Sequence, residues 1–407
     1  MRGQALWGYA TAAAGLVLAI ASPLLGSMAD ATGRKKPWIA GSCAILALAS
    51  TALWYAHPGE MGPAGAIALA LVAFAIGTVA AEVAAVFNNA MMVRLVGPRE
   101  LGRLSGRGWA TGYAGGLVSL VLILGFMVAS PETGRTLFGF SPLFGLDPAL
   151  REGDRASGPL AALWLLVFVW PLFWFTPDAP RTAIPARVAL REGLARLRAT
   201  LAEVRREPSL WRFLVANLVY QDAVVALFAF GGIYGAGVFG WGATELGLFG
   251  ILLTISGTVG SIVGGRLDDR IGARPVIMGA LLVLVLVCLG VATLGEGRAL
   301  FMTTGPGGPG LYGSLPEKVF VLLGLAIGAV VGPLQASSRS LLARAVPDED
   351  AGRYFGLLAM SGKATSFLAP LLVAAATDLT GALAAGPLIL VAFFVVAIWL
   401  MSRVSRA

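Results

Sequence analysis

The chain has 407 residues, 57% of them hydrophobic and only 13% charged, where an ordinary soluble domain carries about 25% charged residues. With a mean hydropathy of +0.81, and about 20 apolar residues needed per membrane-crossing helix, this is the composition of an all-α polytopic membrane protein. It excludes a soluble enzyme, a disulfide scaffold and a disordered regulator. The formal charge of +8 does not mark a nucleic-acid binder, because the cations lie in short loops between apolar runs rather than in a basic patch with stacking aromatics. Cys43 and Cys288 are far apart in apolar runs and His57 is the one histidine. No metal cluster, thiol pair or histidine-dependent triad can be assembled from them, and no cofactor or metal is expected.

Eleven apolar segments follow one another: 5–29, 38–56, 64–89, 105–129, 160–176, 211–238, 244–264, 275–294, 319–342, 354–376 and 381–401. The first is too long for a signal-peptide core of about 7–15 residues and ends in a charged turn without a cleavage site, so it reads as a span. Arg34, Lys35 and Lys36, Arg94 to Arg107, Arg181 to Arg212, Arg266 to Arg274, Arg339 to Arg353 and the C-terminal arginines fall at one set of span ends. Positive loops stay inside, which places Met1 outside and the C-terminus in the cytoplasm. Residues 177–210, with Val188, Leu190, Leu194, Leu197 and Leu201 interleaved among arginines, read as an amphipathic helix on the inner leaflet. It divides five spans (1–176) from six (211–407).

The halves repeat. Gly26-Ser-Met-Ala-Asp30-Ala-Thr-Gly33-Arg34-Lys35 is echoed by Gly265-Arg-Leu-Asp-Asp269-Arg270-Ile-Gly272-Ala-Arg274 at a common offset of 239 residues, and Gly102, Arg103 and Gly106 return as Gly352, Arg353 and Gly356 at an offset of 250. Glycine permits close helix approach, the aspartate can cap the next helix or pair with a cation, and the cations can bind headgroups or C-terminal carbonyls. The turn reads as a conformational latch, with a topology signal as the compatible plainer role.

On these turns the sequence resembles the major facilitator superfamily, and more narrowly the bacterial relatives of the autophagy-linked vacuolar amino-acid effluxers. The narrower resemblance rests on Asn88-Asn89-Ala90-Met91, Gly106-x-Gly108-Trp109-Ala110-x-Gly112-Tyr113, Phe228 to Tyr234, Gly332 to Ser340 and Ser361 to Phe367. It implies a two-half helical bundle of twelve helices that moves small solutes. Since the Gly26 turn follows the second family helix, the first is missing here. The reading expects either an upstream helix left out by a misplaced start or a truncated protein.

Ionisable groups inside spans cost about 2.5–3.5 kcal/mol each and are functional candidates: Glu82, Asp222, Glu245 and Lys363. Glu82 is a proton site or the partner of a loop arginine. Asn217, Tyr220, Gln221 and Asp222 form the densest polar group in any span, on what the resemblance makes a cavity-lining helix. Gln335 and Arg339 lie on another, with Arg339 expected to snorkel to the headgroups. Trp109 and Tyr113 either pack against Gly112, Gly115 and Gly116 or stack on solute. At about 1.5 Å per residue, Asp222 and Lys363 reach one depth, where they bind the two charges of a zwitterion, form a permanent salt bridge or make no contact at all.

The leading function is a secondary transporter of a small solute, an amino acid by resemblance, working by alternating access. Protons are the candidate coupling ion, lipids surround a monomer, and no nucleic acid is bound. The alternative is a truncated, non-transporting scaffold or lipid-handling protein. A membrane enzyme is disfavoured for want of a nucleophile–base pair, and no Walker turn is present for ATP. The orientation is testable: with Cys43 and Cys288 replaced, a cysteine at Ser141 should react with an impermeant thiol reagent added outside, and one at Ala195 should not. The opposite labelling would invert the topology.

Overall fold

The computed structural model describes every residue except Met1, Glu60, Arg181, residues 183–185, Pro306, Pro309, Arg406 and Ala407. Along the helices it leaves out the side chains of residues 2–5, 186–194, 196 and 243, so the apolar and basic positions proposed for the first part of the linker helix lie outside the described residues. The helices are α1 (Arg2–Thr32), α2 (Lys36–Ala52), α3 (Gly62–Leu95), α4 (Leu101–Leu122), α5 (Glu152–Phe175), α6 (Ala186–Arg206), α7 (Pro208–Phe239), α8 (Ala243–Ile271), α9 (Ala273–Ala292), α10 (Leu315–Ala345), α11 (Ala351–Lys363), α12 (Leu368–Thr380) and α13 (Ala385–Ser402). A two-residue hairpin, β1 (Arg298–Ala299) and β2 (Met302–Thr303), joins α9 to α10. Among the described residues eleven spans are long and apolar enough to cross a membrane, with α11 and α12 counted together.

The boundaries depart from expectation where polar chemistry continues or breaks a helix. The fifth span starts at Glu152 rather than 160, since Glu152 and Asp154 in its first turn suit the positive end of a helix. The fourth ends in a π turn over Ile123–Met127. The tenth, expected as one helix over 354–376, is two: α11 stops at Lys363 and α12 restarts at Leu368. Glu245 accepts from the Gly242 N–H at 3.0 Å and so caps α8. Ser314 and Glu317 form a capping box at the start of α10.

By contacts the chain forms two compact units. The first comprises Met1–Met91, Gly115–Leu197 and Asp348–Ala359, the second Met92–Ala114, Arg198–Pro347 and Met360–Ala407. In the first, α2 packs on α5, and Leu18, Ile39 and Phe87 are fully buried. In the second, α10 packs on α8 and α9, and α13 on α7 and α9, around Phe213, Tyr220, Leu281, Leu334 and Phe394. Phe320 there stacks on both Tyr234 and Phe249, at 5.4 Å between ring centroids in each case.

Candidate functional site

The repeated turns carry the most regular chemistry. In the first unit, Asp30 accepts from the backbone N–H of Gly352 at 2.9 Å and of Arg353 at 2.7 Å, the second and third residues of α11. In the second unit, Asp269 accepts from Gly102 at 2.8 Å and Arg103 at 3.0 Å, the second and third residues of α4. The first turn of a helix leaves its amides unsatisfied and positively polarised, and each carboxylate grips two of them. Cations complete both sites. Lys35 lies 3.4 Å from Asp30, while Arg103 and Arg344 lie 2.9 and 3.3 Å from Asp269. Arg344 also pairs with Asp268 at 2.6 Å.

Glycine permits this approach. A Cβ on Gly352 would come within 2.7 Å of the Gly26 carbonyl oxygen, and one on Gly102 within 2.7 Å of that of Gly265. The expected cap was the next helix in the chain. The carboxylates instead take helices far away in sequence, because the second echo, Gly102-Arg103 and Gly352-Arg353, supplies the partners of the first. Offsets 239 and 250 were legible separately; what paired them was the tertiary fold. Of the latch cations, Arg274 donates to the Met401 and Ser402 carbonyls at the end of α13. Lys36, one position past Lys35, donates to Phe173 near the end of α5.

A second polar group lies wholly in the second unit. Tyr220 is fully buried, its hydroxyl 2.6 Å from Ser338, so it ties α7 to α10. On the half-buried side, Gln221 and Gln335 form a reciprocal amide pair: each Nε2 donates to the other's Oε1, at 2.6 and 2.7 Å. Asn217 donates to Ser361 at 2.7 Å. Asp222, buried, accepts from the N–H of Ala369 at 3.1 Å, the second residue of α12. It therefore caps the helix that restarts beyond Lys363. The break over 364–367 had no separate signal in the apolar pattern. The polar residues Lys363, Thr365 and Ser366 were its available mark.

Other expected residues fall elsewhere. Trp109 and Tyr113 lie together on α4, 5.7 Å between centroids. The close packing that Tyr113 makes is on Gly257 of α8 and Gly332 of α10, while Gly112 and Gly116 have open space beside them. Arg339 does not snorkel outward: its guanidinium lies 5.3 Å over Trp109 and donates to the Ser105 carbonyl at 3.0 Å. Glu82 and Asn89 are half-buried and Asn88 is exposed on α3, in the first unit. Arg34, Arg270, Gly33 and Gly272 belong to the turns, where Gly33 and Gly272 adopt φ of 79° and 90°, a conformation that favours glycine.

Eleven spans, a duplicated carboxylate-to-helix clamp and a broken helix beside buried polar groups define an integral membrane transporter of the major facilitator type. The chain belongs to the family described as vacuole effluxer Atg22 like, whose model matches residues 99–407. It is 25% identical over 412 residues to an uncharacterized MFS-type transporter, YxiO, of Bacillus subtilis, covering 100% of this chain and 86% of that protein. It is 30% identical over 250 residues to a probable nitrate/nitrite antiporter, NarK1, of Thermus thermophilus, covering 58% and 54% of the two chains. Among solved structures, the E. coli fucose:proton symporter FucP superposes with a TM-score of 0.70 at 17% identity, covering 100% of this chain and 92% of that one. The proton:xylose symporter XylE superposes with a TM-score of 0.71 at 14% identity over 97% and 85%.

The clamps make a stability prediction. Asp30→Asn or Asp269→Asn leaves one neutral carbonyl oxygen, and a donor NH2 in place of the other oxygen, where two amides and a cation need acceptors. Each should cost about 1–3 kcal/mol, read as a lower thermal midpoint in detergent. Asp378→Asn, at an exposed position on α12, should leave the midpoint unchanged. An unchanged midpoint for both clamp variants would reduce the turns to topology signals.

Proposed function

We propose that the protein exchanges a small solute across a bacterial inner membrane by alternating access, with its arginine-rich loops and C-terminus in the cytoplasm. An amino acid is the leading substrate class, from the resemblance to the vacuolar effluxers, and a proton the leading coupling ion. The observation that carries the reading is the helix broken between Lys363 and Leu368 beside Asp222, Asn217 and Gln221. Transporters build midplane sites from discontinuous helices, because unwound backbone and half-helix ends supply polar groups where water is scarce. Asp222 fills the amide end of α12 with one carboxylate oxygen. Its other oxygen is buried without a donor among the described residues, and a proton arriving there would cancel a charge that is costly at this depth. In this reading Asp222 and Lys363 flank the break as the charged groups of the solute and coupling site. The two clamps hold one conformation of the cycle and must release their helix ends before the other forms.

Counterflow of labelled amino acids in proteoliposomes, with and without a pH gradient, tests the function. Asp222→Asn keeps an acceptor for Ala369 while removing the charge, and Lys363→Met removes the other. A transport role gives well-folded single variants with flux lowered about tenfold or more, and a double variant that folds but stays inactive. A purely structural pair gives poor folded yield in each single variant, since breaking a buried pair strands a charge, and recovery in the double. Wild-type flux in the double variant would remove both residues from the mechanism.

A further inference from the structure

The second unit contains a cavity of about 260 Å³ among α7, α8, α9, α10 and α13, lined by Leu227, Phe230, Phe249, Leu253 and Phe320 among others. Among the described residues, no charged one lines it. The hydroxyl of Tyr234, on its wall, is committed to the Val291 and Leu294 carbonyls at 3.0 and 2.9 Å. The cavity is thus dry by chemistry and suited to an apolar group.

Its place relative to the amide pair follows from helix geometry. Tyr220–Ser338 and Gln221–Gln335 at one level, and Trp241–Glu317 at 2.8 Å at the other, make α7 and α10 antiparallel neighbours. On α7, Phe228 and Gly232 line the cavity. They follow Gln221 by about two and three turns, which returns them to within about 20° of its face, about 10 and 16 Å along the helix. On α10, Gly324 lines the cavity three turns before Gln335, again on the same face. The cavity therefore meets the face that carries the amide pair at Phe228, Gly232 and Gly324, while Leu227, Phe230 and Tyr234 line it from the other side of α7.

The pair itself is uncharged. Tyr220 and Ser338, one position before Gln221 and three after Gln335 on the buried side, already tie α7 to α10, so the reciprocal amides are free to trade partners without loosening the helices. A solute head that presents a donor and an acceptor side by side can replace either amide with no change of charge. The geometry points to a bipartite site for an amphipathic solute: an uncharged, amide-like head held by Gln221 and Gln335, and an apolar body, reaching about 10–16 Å along the wall, held in the cavity. This goes beyond the proposed amino-acid substrate by naming a longer, uncharged solute class, and it rests on the transporter reading for the amides to face the solute path.

Two glycines provide clean variants. A side chain added at Gly232 or Gly250, both on the cavity wall, meets nothing within 4 Å, so Gly232→Leu and Gly250→Leu fill the cavity without a clash. Binding of tritiated acetamide, octanamide, decanamide and tetradecanamide is measured on protein in phosphatidylcholine nanodiscs, with empty discs subtracted. The expected result is an affinity rising roughly fourfold per methylene once the chain is long enough to enter the cavity, about 10 Å from the amide pair, and up to the cavity's length, with octanoate binding at least about tenfold more weakly than octanamide. Gly232→Leu and Gly250→Leu, checked for an unchanged thermal midpoint, should abolish the dependence on chain length. Gln335→Leu should weaken the whole series by a similar factor.

Affinities that ignore chain length, or cavity-filling variants that bind the series as the wild type does, overturn the inference. Leucine counterflow measured on the same preparation separates the two readings. Leucine exchange with chain-length-independent binding leaves a transporter without this site. Chain-length-dependent binding with no flux of any solute leaves the site without the transporter.

Discussion

Every helix that starts inside or beside a membrane exposes amides that water cannot freely satisfy, and at four of its helices this chain meets that demand with aspartates borrowed from far away. Asp30 serves α11 and Asp269 serves α4. Asp222 serves α12. Asp178 accepts from the N–H groups of Lys35 and Lys36 at 2.9 and 3.1 Å and serves α2. In each case the carboxylate is more than a hundred residues from the amides it holds. A local cap fixes only where a helix begins. A remote one also fixes which helix it begins beside, so the same bonds that satisfy the backbone assemble the bundle.

The opposite ends are treated in complementary fashion. Lys36 donates to a carbonyl near the end of α5 and Arg274 to the last carbonyls of α13, so the cations that follow each repeated turn close the negative ends of helices. A single stretch of about ten residues thereby supplies an anion to one helix start and a cation to another helix end. The duplicated turn is a junction of three helices, and its glycines set how near they can come.

Much of this was legible because it was periodic or repeated. The spans follow from apolar length, the turns from spacing, and the family from motifs such as Gly332-Pro333-Leu334-Gln335. The density of polar residues at Asn217 to Asp222 marked the cluster on α7. Division of labour within it was not legible, because neighbouring residues on a helix point in different directions: Tyr220 turns inward to Ser338 and Gln221 turns to Gln335. Nor was the pairing of Asp30 with Gly352, since two separate offsets carry no information about which echo meets which. Arg339 was misjudged for a related reason. A long basic side chain near a span end has headgroups as its default partner, and only the fold supplies Trp109 and Ser105 as nearer ones.

The two clamps match in geometry but differ in their surroundings. Asp30 and Lys35 are both buried, their side chains 1% and 5% exposed, whereas Arg103, which reinforces Asp269, is 44% exposed. Mobile ions reach exposed charges far more readily than buried ones. Rising ionic strength therefore screens the Arg103 contribution to the Asp269 junction first, while the Arg344 pair beside it, 14% and 8% exposed, and the Asp30 pair keep theirs, so two junctions with the same bonds answer differently to the salt around them.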